Sequence, residues 1–294
     1  MDTPDNNQEQ SNGNPSESVP QYVAPATSNG VSESSGRFSS FIKEMLCEPT
    51  PLLDNAEDRC RDKWYILPCI LGIIGMITGF VFFYFANDLL MFEEGELPIL
   101  QIIIGIMPYQ FFTFGACLLG MIPIIIRDGF RKSFDILSPM PPWKTFFFSV
   151  LKLLVLMYPL VYIVNKIAGF IFDVLSIPMP EQLISTLGKE ASLSFWVFSA
   201  ISALITAPIT EEVIFRLVLN RAIRAIMPIW ATLLSSIAFA MMHSNTYHYW
   251  PSLFVIALFM IRARRVYGLP CSILLHSSYN FIAFTFIVID TILE

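Results

Sequence analysis

Residues 193–218 read LSFWVFSAISALITAPITEEVIFRLV, a run long and apolar enough to cross a bilayer that still carries Glu211, Glu212 and Arg216. A spanning helix needs about 20 largely apolar residues, and this stretch supplies them. Ionised side chains at the centre of such a helix cost roughly 2.5–3.5 kcal/mol each on insertion scales, so they persist where they pair or do chemistry. The chain has only 3 histidines, and two of them, His243 and His276, fall in the apolar segments that follow. An embedded Glu/Glu/Arg/His/His set points to chemistry more than to packing.

The rest of the sequence has the same apolar character. Of 294 residues 54% are hydrophobic, 26 are Phe, and the mean hydropathy is +0.59. Apolar runs predict seven spans, at 64–86, 98–126, 146–172, 193–218, 228–243, 251–263 and 270–290, with the fifth and sixth short. The expected fold is therefore all-α, a polytopic transmembrane helical bundle. Residues 1–37, rich in Ser, Asn, Pro, Gln and Gly, are expected to be a disordered acidic tail, because they lack the apolar surface that offsets ordering entropy. Over 38–63, Phe38, Phe41, Ile42, Met45 and Leu46 recur at helical spacing, which predicts an amphipathic interfacial helix and a linker with Pro49 and Pro51. Residues 64–190 then hold the N-terminal transmembrane helices, and 191–294 the polar-bearing core.

Loop charge sets an expected orientation. Basic residues gather before the first span (Arg59, Arg61, Lys63), between the second and third (Arg127, Arg131, Lys132, Lys144), after the fourth (Arg221, Arg224) and after the sixth (Arg262, Arg264, Arg265). The alternate loops hold Glu93, Glu94 and Glu96, then Asp173 and Glu181, then the stretch around His248. Basic loops stay in the cytoplasm, so the N-terminus is predicted there and the chain is an integral multi-pass protein. A bacterial inner membrane and the endoplasmic reticulum are not distinguished. The aromatic loop Tyr247, His248, Tyr249 and Trp250 suits an interfacial belt.

Composition also excludes classes. The net charge of -6 comes mostly from the tail, where Asp2, Asp5, Glu9, Glu17 and Glu33 have no basic counterpart before Arg37, so no clustered basic surface marks a nucleic-acid partner. The five cysteines (Cys47, Cys60, Cys69, Cys117, Cys271) show neither a disulfide framework nor zinc-ribbon spacing. No cationic region followed by an apolar run opens the chain, so no cleavable signal peptide is expected.

Helical spacing divides the polar set. Glu212 and Arg216 are i,i+4 and share a face, so they can pair, while Glu211 points to another partner. One carboxylate can then orient and the other can titrate, as acid–base chemistry requires. Phe239 and His243 share a face in the same way, and so do His276 and Asn280. With a turn near Met227, the carboxylates and His243 lie about 15 and 16 residues from it, and an antiparallel hairpin rising 1.5 Å per residue brings them to one depth. A turn near Gly268 and Pro270 brings His276 to a comparable level.

Two chemistries fit this set. In one, Glu211 takes a proton from a water held by His243, the water attacks a peptide carbonyl, and His276 with Asn280 donates to the oxyanion, without a cofactor. In the other, Glu211, His243 and His276 bind a divalent metal such as zinc that activates the water. Asn280 is a poor zinc ligand and a good oxyanion donor, and no one-helix HExxH motif exists, which favours the metal-free route.

Three motifs in order, Glu-Glu-x-x-x-Arg at 211–216, Phe-x-x-x-His at 239–243 and His-x-x-x-Asn at 276–280, resemble the type II CAAX prenyl protease family, the CAAX protease and bacteriocin-processing (Abi) group of intramembrane endopeptidases. The resemblance covers residues 190–290. It implies an α-helical membrane fold with a cavity open to cytoplasm and lipid. It implies catalysis by Glu211, His243, His276 and Asn280, with Glu212, Arg216 and Phe239 in support. The implied partner is a membrane-anchored or lipidated protein or peptide, within the lipid bilayer. Two other readings stand beside it. An embedded Glu/His set also suits a proton-coupled transporter, which predicts matched broken helices in two halves. A bacteriocin-immunity or scaffold protein would use the polar site structurally.

Overall fold

The computed structural model describes residues 60–90, 107–136, 142–179 and 192–293. The expected tail, the interfacial segment up to residue 59, the acidic loop at 93–96 and Glu181 lie outside the described residues. Among the described residues the regular elements are helices and none is a strand. In chain order they are α1 (Ile66–Leu90), α2 (Met107–Asp128), the single turn α3 (Phe130–Ser133), α4 (Trp143–Val174), α5 (Leu193–Ile226), α6 (Ala231–Met241), α7 (Trp250–Tyr267) and α8 (Leu269–Leu293).

Each predicted span meets one of these helices, but only five are long and apolar enough to cross a membrane: Cys60–Phe82, Gln110–Asp128, Trp143–Val174, Leu193–Ile226 and Leu269–Thr291. The short sixth span has a packing reason. Six consecutive residues of α7, Ile256 to Ile261, are buried, so the helix is covered on every side by protein and not by lipid. Val150, Leu153 and Met157 of α4 and Cys271 and Leu275 of α8 form much of that cover. A helix enclosed in this way can end in Arg262, Arg264 and Arg265 without meeting hydrocarbon.

α1 and α2 form a hairpin to one side. Their backbones approach so closely that a Cβ on Gly75 would lie 2.4 Å from the Phe112 carbonyl oxygen. Ile70, Ile74, Ile77 and Val81 recur on the outer face of α1, half exposed, as a lipid-facing helix requires. The inner side of the hairpin meets α5: Tyr65 just before α1, Cys117 and Met121 of α2, and Val213, Leu217 and Val218 of α5 share one buried cluster. α2 and α4 run through Pro123 and Pro159 without a break. The described helices therefore do not show the matched broken pair a transporter reading asks for.

Candidate active site

α5 is not a regular α-helix. It winds with π geometry (hydrogen bonds i→i+5) over Ser202–Thr206 and again over Glu212–Leu219, with Ala207–Glu211 between. Such widened turns are rare and gather at functional sites. Side chains from other helices donate to carbonyls inside both segments. Asn280 Nδ2 donates to the Ala203 oxygen at 2.8 Å, and Arg264 Nη1 donates to the Arg216 oxygen.

The two carboxylates end up in different surroundings. Glu212 has no exposed surface and its two oxygens are clamped. His276 Nδ1 lies 3.0 Å from Oε1, Arg216 Nε lies 3.4 Å from the same oxygen, and the Ser272 hydroxyl meets Oε2. An ionised carboxylate only accepts, so Nδ1 of His276 carries the hydrogen. Glu211, with its side chain 17% exposed, faces the other ring nitrogen: its Oε2 is 3.8 Å from His276 Nε2. The imidazole is thus bracketed by both glutamates. The pairing of Glu212 with Arg216 follows the spacing argument, whereas the second bond, from His276 to Glu212, does not emerge from spacing.

Phe239 is the hinge of the site. Its ring is 1% exposed and has His243 on one side at 5.0 Å between centroids and His276 at 6.0 Å. Arg216 stacks on it with Cζ 3.9 Å from the centroid. The three guanidinium nitrogens make no hydrogen bond, so the buried cation is balanced by Glu212 and the ring face. His243 sits just past the end of α6, where its Nδ1 is 3.0 Å from the Phe239 carbonyl. A carbonyl accepts, so Nδ1 is protonated and Nε2 is the basic nitrogen. Trp250 Nε1 donates to the His243 carbonyl at 3.1 Å and fixes the turn that follows. In the aromatic loop, Tyr247 packs on Phe172 of α4 and donates to the Pro178 carbonyl.

Asn280 lies one turn beyond His276, but its amide is directed at Ala203; one N–H is engaged there. Among the described residues no three His, Cys, Asp or Glu side chains are grouped closely enough to hold a metal ion. Glu211, His243 and His276 therefore do not form a three-donor set in this conformation.

Beyond the glutamates α5 enters a charged layer. Arg221 and Arg264 both bind Asp135, and Asp62 receives Arg224 at 2.5 and 2.9 Å and lies 3.6 Å from Arg221. Burial pushes the Asp135 carboxyl up, but Arg221 and Arg264 beside it outweigh that and hold it down at about 2. Sequence reasoning used Arg264 only as a topology marker and passed over Ser272, Asp135 and Asn220. Ser272 was within reach: it precedes His276 by one helical turn, on the face that already carries His276 and Asn280.

Residues 193–282 match the family described as "Type II CAAX prenyl endopeptidase Rce1-like". The matched stretch runs from the start of α5 through Asn280 and so contains the whole constellation. No curated protein and no solved structure matches the chain.

Proposed function

We propose that the chain, which matches the type II CAAX prenyl endopeptidase family through residues 193–282 and has five helices long and apolar enough to cross a membrane, is a multi-pass membrane peptidase that hydrolyses its substrate with a water activated by Glu211 and His243. The substrate class proposed is a prenylated, membrane-anchored protein or peptide, reached from the cytoplasmic side. The basic residues at the Arg221 and Arg264 end support that orientation.

The observation that carries the mechanism is the bracketing of His276, 3.0 Å from Glu212 and 3.8 Å from Glu211. With Nδ1 donating to Glu212, the second hydrogen of a protonated His276 sits on Nε2, on the Glu211 side. His243 Nε2 and the Glu211 carboxylate are both acceptors, so a water between them is held by its two hydrogens with a lone pair free to attack. In the first step that oxygen bonds to the scissile carbonyl carbon and a water proton passes to Glu211. The carbonyl oxygen becomes an oxyanion and accepts from His276 Nε2–H and from the second N–H of Asn280. In the second step the C–N bond breaks and Glu211 returns the proton to the leaving amine. Glu212, Arg216 and Phe239 hold His276 and take no part in bond making.

The test uses the full chain in lipid nanodiscs with a quenched, prenylated peptide, Glu211→Gln, His243→Ala and a chelator arm. The expected result is cleavage by the wild type, loss of at least about 100-fold in kcat for both variants, and no effect of chelator. Cleavage that survives Glu211→Gln, or that chelator abolishes and zinc restores, would overturn this mechanism.

A further inference from the structure

The proposed hydrolysis gives Arg264 no role, yet its guanidinium binds Asp135, the Arg216 carbonyl and Asn220. Arg264 is 7% exposed and lies on α7. Nε and Nη2 donate to Asp135 Oδ2 at 2.8 and 2.6 Å. Nη1 reaches the Arg216 carbonyl and also lies 3.3 Å from Asn220 Oδ1. Asn220 in turn donates to Ser235 of α6 at 3.1 Å. Asp135 is itself fixed: Arg221 binds its other oxygen, and its carbonyl accepts from Leu269 N at the start of α8 at 3.2 Å.

The Arg216 carbonyl is a meaningful place for that donor. It lies in the middle of the π-wound segment Glu212–Leu219. Relaxation of a π-turn to α-geometry moves the residues on one side of it by one position, about 100° of rotation about the helix axis. Glu212 and Arg216 would then no longer face His276 and the Phe239 ring together. A donor that captures a carbonyl inside the turn opposes that relaxation.

We infer that Arg264, clamped by Asp135, is a positioning residue for the hydrolytic site, holding the Arg216 carbonyl and with it the π-wound register that presents Glu211 and Glu212 to His276. This rests on the hydrolytic reading for its catalytic consequence, but the register it sets is independent of that reading. The planar fork matters as much as the charge, because a lysine ammonium cannot bond Asp135 and the Arg216 carbonyl with the same geometry.

The test compares wild type, Glu211→Gln, Arg264→Lys and Asp135→Asn in nanodiscs by cleavage kinetics, thermal melting and amide hydrogen exchange. Arg264→Lys should lower kcat about 10- to 100-fold, as a small misplacement of catalytic groups does. KM should stay within about twofold and the melting temperature within a few degrees, as loss of position without loss of binding requires. Amides of residues 212–220 should exchange at least about tenfold faster than in the wild type, because the turn opens locally. Wild-type kcat in Arg264→Lys would overturn the inference, and so would a loss of kcat that disappears on cooling in step with recovered stability. If the wild type cleaves nothing, the hydrolytic reading fails separately, and exchange decides: faster exchange at 212–220 upholds the positioning role, and unchanged exchange removes it.

Discussion

Ser272→Ala tests the orienting function proposed for Glu212. The Ser272 hydroxyl has no exposed surface and meets Glu212 Oε2 while lying 3.0 Å from the Met260 carbonyl. A hydroxyl has one hydrogen, and the charged oxygen is the stronger acceptor, so the bond to Glu212 is the one lost. Hydrogen bonds to charged groups contribute about 1.5–3 kcal/mol. At about 1.4 kcal/mol per factor of ten, the same loss expressed in the transition state is about 10- to 150-fold in kcat. Peptide cleavage in nanodiscs measures it, with KM expected within about twofold, because Ser272 contacts Glu212 and not the substrate. The control is a double-mutant cycle with Glu212→Gln. If Ser272 acts through the carboxylate, its removal from the Glu212→Gln background should have little further effect. Wild-type kcat in Ser272→Ala, or strict additivity in the cycle, would refute the reasoning.

Two further outcomes follow from the same contacts. The Asp135 carboxyl is held at about 2, below its ordinary value of 3.8, so its ion pairs stabilise the fold at every pH above about 4 and fade as pH falls towards 2. The difference in melting temperature between wild type and Asp135→Asn in non-ionic detergent should be flat from pH 8 to 5 and shrink below 4, reflecting about 2–3 kcal/mol; a gap that widens on acidification would contradict it. Phe239→Ala should destabilise by about 3–5 kcal/mol, since the ring is fully packed and the Arg216 cation loses the face beneath it. Melting that is unchanged in Phe239→Ala would rule out the ring as the support of Arg216.

Much of the bundle was legible because lipid enforces a simple rule: long apolar runs become helices. α6 and α7 were the hardest to read. α7 is covered by protein on all sides, so its composition is set by neighbours and not by bilayer thickness, and arginines at its end carry no hydropathy penalty. Pairing of Glu212 with Arg216 could be read from spacing, since i,i+4 neighbours meet even where the winding departs from α. The π-segments could not, because winding is decided by donors such as Asn280 and Arg264 that arrive from distant parts of the sequence. The Asp135 clamp was hidden for the same reason: Asp135 and Arg264 are 129 positions apart. Asn280, expected as an oxyanion donor, is directed at the Ala203 carbonyl and ties α8 to the first π-segment, a contact that spacing does not reveal.

The division of labour proposed for the glutamates follows from what each already holds. Glu212 has no exposed surface, accepts from His276 and Ser272 and faces Arg216, so it has little capacity left to bind and deprotonate another molecule. Glu211 is partly open and 3.8 Å from its nearest ionic neighbour, beyond a hydrogen bond, which leaves its carboxylate able to take a proton. Charge balance favours the same assignment. In the proposed mechanism two glutamates face Arg216 and, with a hydrogen on each ring nitrogen, a cationic His276 before attack, and the set is neutral. When Glu211 takes the water proton it loses its charge, and the new negative charge forms on the carbonyl oxygen, on the Nε2 side of the same imidazole. The set stays neutral while the negative charge moves only a few ångströms, which is the arrangement a low-dielectric interior penalises least. Were Glu212 the proton acceptor, the buried Arg216 would lose its one salt-bridge partner among the described residues at the moment of reaction.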